Sequence, residues 1–91
     1  MEKNFDEEHQ INVAVGYNHI GLVFDIIQDY KNAIKFHKCS LNILEKELTV
    51  SVCAVYNRIA LSYCLYGDYE NALKYLDIFS IIVKGNLKKF I

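Results

Sequence analysis

Apolar residues in the first third of the chain recur every three or four positions. One strip runs through Ile11, Ala14, Val15, Asn18, Leu22 and Ile26, and a second through Val13, Tyr17, Ile20 and Phe24. Residues at that spacing share a helix face, and two strips on one helix predict packing on more than one side. The pattern predicts a first helix from about Asp6 to Ile27 and a tight turn at Gln28-Asp29. A second helix is predicted from about Tyr30 to Glu47, through Ala33, Ile34, Phe36, His37, Leu41, Ile43 and Leu44. Thr49 or Ser51 can cap a third helix, a hydroxyl accepting one of the orphan N–H groups at its start. That helix continues through Val55, Tyr56, Ile59, Ala60, Tyr63 and Leu65 to Tyr66, and Gly67-Asp68 ends it. A fourth spans about Tyr69 to Val83, with Lys84-Gly85-Asn86 expected to terminate it and residues 84–91 left as a tail or the start of a further helix. The many Ile, Val and Tyr residues locally favour strand. Sustained helical spacing and the lack of strand alternation outweigh them, so the expected fold is all-α.

The chain also repeats itself. Tyr17-Asn18-His19-Ile20-Gly21-Leu22 returns as Tyr56-Asn57-Arg58-Ile59-Ala60-Leu61, 39 positions later. Asp29-Tyr30-Lys31-Asn32-Ala33-Ile34-Lys35 returns as Asp68-Tyr69-Glu70-Asn71-Ala72-Leu73-Lys74 at the same offset. From Ala14 to Leu44, 10 of 31 aligned positions are identical. A period of this size marks stacked helical or strand units that share a core with their neighbours.

The two copies resemble the tetratricopeptide repeat family. The first supplies Tyr17, Ile20, Gly21, Phe24, Gln28, Tyr30 and Ala33; the second supplies Tyr56, Ile59, Ala60, Tyr63, Gly67, Tyr69 and Ala72. Small Gly21, Ala60, Ala33 and Ala72 fall where two helices of a hairpin approach closely, and aromatic rings fill the wider gaps. The resemblance covers roughly residues 11–83. Its spacing is longer than the usual 34, with room for longer helices around Glu45 to Val50, and is similar to that of kinesin light chains and LGN-type scaffolds. It implies tandem antiparallel hairpins, about 6–47 and 49–83, forming a short right-handed solenoid within a single domain over 1–91. Gln28 stands where the family has a turn glycine. Phe79 stands where the first copy has Ser40, and its bulk would push a following helix away.

The resemblance also implies a concave groove lined by the first helix of each hairpin. Carried onto this chain, the groove positions are Val15, Asn18, Leu22, Asp25 and Ile26, with Ala54, Asn57, Leu61, Cys64 and Leu65 as their counterparts. Arg58 lies beside them. Asparagine is disfavoured inside helices, yet Asn18 and Asn57 recur in register. An amide can donate to and accept from a peptide backbone; it can equally bond locally or face water. The partner-binding candidates are therefore Asn18, Leu22, Asp25, Ile26, Asn57, Arg58, Leu61 and Leu65. With few cations nearby, this groove suits a hydrophobic peptide or helix better than an acidic chain terminus.

A second expectation competes with the groove. Two repeats make a thin core, and terminal repeats ordinarily expose polar faces. The fourth helix instead carries Leu76, Ile78, Phe79, Ile81, Ile82 and Val83, so much apolar surface that something should cover it. The tail at Leu87, Phe90 and Ile91, a second copy, a larger complex or another part of a longer chain would serve. The alternative function is a permanently assembled adaptor or oligomerisation unit.

Composition narrows the remaining classes. A hydrophobic content of 53% argues against disorder, and a formal charge of -1 against nucleic acid or anionic lipid as partner. No run of eighteen apolar residues suggests a membrane span, and the acidic start Met1 to Glu8 is unlike a leader. Cys39, Cys53 and Cys64 are odd in number and without a CxxC unit, which suits a reducing, cytoplasmic compartment. His9, His19 and His37 form no short-spaced ligand pair, and His37 falls where the resembled family prefers an aromatic, which implies a packed core histidine. No catalytic residue, metal or cofactor is expected, and the protein is read as a non-enzyme.

Overall fold

The structure, a computed structural model, describes residues 5–45 and 50–88, with side chains over 9–45 and 52–85. It is all-α: α1 (Phe5–Ile26), α2 (Tyr30–Leu44), α3 (Val50–Tyr66) and α4 (Tyr69–Lys88). The helices pack in chain order, α1 on α2, α2 on α3 and α3 on α4, within an envelope of 42 × 32 × 16 Å.

Each hairpin turns by the same device. The N–H of Asp29 bonds the Phe24 carbonyl at 2.8 Å, and that of Asp68 bonds the Tyr63 carbonyl at 2.9 Å. This is the closure that ends a helix through one left-handed residue. Gly67 takes that conformation at φ 99°, and Gln28 takes it at φ 66° in the first copy. The aspartates then cap the next helices. Asp29 accepts from the Asn32 backbone and side chain at 3.3 and 2.8 Å, and Asp68 from those of Asn71 at 3.2 and 2.7 Å. The two Asn71 bonds hold the Asp68 carboxyl below its usual pKa.

The four small residues that the repeat places at helix crossings are all buried: Gly21, Ala33, Ala60 and Ala72. Rings fill the space beside them in both copies. Phe36 stacks on Phe24 and Tyr17 at 5.4 and 6.2 Å, and its counterpart Tyr75 meets Tyr63 and Tyr56 at 5.6 and 6.0 Å. The largest apolar cluster lies at the joint between hairpins, where Ala14, Leu41 and Leu44 meet Val52, Val55, Tyr56 and Ile59.

Three boundaries differ from expectation. The second helix ends at Leu44, with Glu45 as its C-cap. The third has begun by Val50, so Ser51 lies within it rather than at its cap. The fourth runs through Lys84-Gly85-Asn86 to Lys88. A lone interior glycine costs a helix only about 1 kcal/mol relative to alanine, too little to stop one with good formers on both sides. A cap at Thr49, residues 1–4 and 46–49, and the tail side chains of Leu87, Phe90 and Ile91 lie outside the described residues.

Candidate functional site

A buried polar chain ties three helices together. On α2, His37 is wholly buried; its Nδ1 lies 2.7 Å from Asn18 Oδ1 and its Nε2 2.9 Å from Asp25 Oδ2, both on α1. The other Asp25 oxygen accepts from Ser62 of α3 at 2.7 Å, and Ser62 also reaches the Arg58 carbonyl at 3.0 Å. Asp25 accepts on both oxygens, so the His37 Nε2 donates to it, and the Nδ1 left bare takes a bond from the NH2 end of the Asn18 amide, whose two ends are interchangeable.

Gly21 makes room for the ring. A Cβ there would lie 2.7 Å from the ring Cε1 and Nδ1, and a ring held at both nitrogens has nowhere to move. The second hairpin replaces this pair by Ala60 and Leu76, and the carboxylate by Cys64. Asn57 thus has no imidazole opposite it and is exposed.

Lys38 makes the other polar tie across the joint, donating to the Tyr63 hydroxyl at 2.6 Å and lying over the Tyr63 and Tyr75 rings at 5.1 and 5.7 Å. Burial works against its charge, but the Tyr63 bond and the pull of Tyr75 and Tyr63 outweigh it, and its pKa is raised.

Beside the His37 chain an open cavity of about 160 Å³ is lined by Val15, Asn18, Ser40, Leu44, Ala54 and Val55. Its walls are mainly apolar. Two polar groups meet it: the Asn18 amide, which lies against His37, and the buried Ser40 hydroxyl, which has no hydrogen-bond partner.

The sequence candidates therefore divide. Asn18 and Asp25 come together around His37, and Asn18 also borders the cavity. Leu22 is half-buried; Ile26, Asn57, Leu61 and Leu65 are exposed. Arg58 is half-buried and serves the network through its backbone carbonyl. Ser62, Ser40 and the joining role of His37 were missed. Their signal lies in the repeat: positions 23/62, 25/64 and 37/76 each pair a polar with an apolar residue or a cysteine.

Among the described residues no group of three His, Cys, Asp or Glu side chains is placed to hold a metal ion, and no helix is long and apolar enough to cross a membrane. Cys39, Cys53 and Cys64 form no disulfide. No protein-family model, curated protein or solved structure gives a significant match to this chain.

Proposed function

We propose that this chain is a non-catalytic protein-interaction module, built as a short tetratricopeptide-like solenoid, that holds a hydrophobic peptide or helix of a partner along α1 and α3. The cavity carries the proposal. It takes in Val15 and Asn18 from one helix and Ala54 from the other, the first positions of the two stripes in register, 15-18-22-26 and 54-57-61-65. Further along those stripes Ile26, Leu61 and Leu65 are apolar and exposed. Exposed Asn57 offers an amide to a backbone or a small polar side chain.

The buried polar chain supports a structural role. Ser62 donates to Asp25 and not to His37, and both Ser62 and His37 are closed to solvent. A nucleophilic serine needs its base within hydrogen-bond reach and a substrate beside it. The near-neutral charge supports a partner recognised by area and shape rather than by phosphate contacts.

Selection from a random peptide display library tests the proposal. Wild-type protein should enrich apolar sequences, and Leu61→Asp should abolish their retention while Asn57→Ala weakens it about tenfold, roughly the loss of one good hydrogen bond. Failure to enrich, or enriched peptides indifferent to both substitutions, would count against a groove. A second reading, a permanently assembled adaptor, is favoured by exposed Tyr69, Leu73, Leu76 and Ile81 on α4.

A further inference from the structure

The two ends of the molecule are the two halves of its own internal joint. At that joint α3 presents Val52, Val55, Ile59 and Ser62 to α2 and the α1–α2 network, and all four are buried. The residues 39 positions earlier form the same line on α1: Val13, Gly16, Ile20 and Val23. Ile59 is fully buried whereas Ile20 is 42% exposed, and Val23 is 58% exposed. The receiving side repeats too. Ile34 of α2 is 8% exposed, whereas its counterpart on α4, Leu73, is 63% exposed. One end of the chain thus carries an uncovered insert and the other an uncovered seat.

The substitutions between the copies match across these ends. At the internal joint the Ser62 hydroxyl meets Asp25, which holds His37. On the end faces all three polar residues are replaced together: Val23 stands for Ser62, Cys64 for Asp25 and Leu76 for His37. Volume is exchanged in the same way. Ser40 and Val55 border one cavity, and their counterparts are Phe79 and Gly16. Repeated at the ends, that joint would bring Phe79, whose ring also packs on its own chain's core, opposite Gly16, where a Cβ would meet nothing within 4 Å. Phe79 pushes away a helix with valine at that place and admits one with glycine.

We infer that a second copy of this chain seats its α1 on the α4 of the first, head to tail, by the joint that already places α3 on α2. The surface is distinct from the α1–α3 groove. Such an interface is heterologous, and with no closing rotation it builds an open-ended array.

Sedimentation equilibrium on the full chain tests this. The mean mass should climb from 10.6 kDa as concentration rises from about micromolar to about millimolar. Ile20→Asp and Leu73→Asp alter exposed side chains, so each variant should keep its helical circular dichroism and remain at 10.6 kDa. Mixed in equal amounts, the two variants should form a dimer of twice 10.6 kDa and stop there, because each retains the face the other lacks. Three results would overturn the inference: wild-type protein that stays monomeric throughout, a mixture that fails to pair, or association lost with Leu73→Asp but kept with Ile20→Asp. The last would mean that α4 pairs with itself. Monomeric wild-type protein would leave both ends to foreign partners.

Discussion

Removing the Asp25 carboxylate is the sharpest probe of the joint. In Asp25→Ala the His37 Nε2–H loses its acceptor at 2.9 Å, and Ser62 loses one at 2.7 Å while keeping the Arg58 carbonyl at 3.0 Å. A buried donor left unpaired costs about 1–3 kcal/mol, and breaking a fully buried ion pair about 3–5 kcal/mol. The Asp25 side chain is 12% exposed, so water can partly replace it and the lower range applies. We expect a loss of about 2–3 kcal/mol, against a total of roughly 5–13 kcal/mol for a domain of this length. Urea denaturation followed by circular dichroism would report it as a lower midpoint with an unchanged slope. In a thermal melt the same loss is about 8–20 °C. The triple variant Asp25→Cys/His37→Leu/Ser62→Val installs the residues that the end faces carry at these places. The polar side chain that remains is Asn18, which borders the open cavity, so most of the stability should return. A single variant within about 0.5 kcal/mol of wild type, or a triple variant as weak as the single, would refute the view that the buried chain works as one unit.

Two further substitutions probe the backbone positions. Gly21→Ala should cost about 1–3 kcal/mol, an overpacking penalty, because the added methyl meets the His37 ring at 2.7 Å; made instead in the triple variant, whose His37→Leu change completes the Ala60–Leu76 pair, it should cost much less in the same denaturation assay. Gln28→Gly should stabilise by about 0.5–1 kcal/mol, since relief of a left-handed side chain outweighs the glycine entropy; a melting temperature unchanged or lowered would show that the Gln28 side chain contributes something the turn needs.

Much of the fold could be read directly from the residues. Aspartate followed three positions later by asparagine marks both second-helix starts, and Gly21, Ala33, Ala60 and Ala72 mark the crossings because only small side chains fit there. Helix ends were harder. Gly85 reads as a stop, yet a helix with formers on either side continues through it. The polar chain was not legible as a chain. Its members are 12 to 37 positions apart, and no local pattern links a histidine on one helix to an aspartate on another. Asn18 and Asn57 looked equivalent because the sequence alone does not reveal that His37 lies against one of them. What carried the information was the disagreement between the copies, where three polar identities change together.

The His37 chain also makes the two ends of the molecule unequal in how they come loose. It fastens α1, α2 and α3 to one another through directional bonds, whereas α4 is held to α3 chiefly by ring and aliphatic contacts. Beyond α3, α4 meets α2 where Lys38 lies over the Tyr75 ring, and its release leaves every bond of the His37 chain in place. Amide hydrogens on α4 should therefore exchange with solvent soonest among the helix interiors, and the slowest should lie where Leu41 and Ile59 meet. The last helix is the natural place for this protein to begin to unfold.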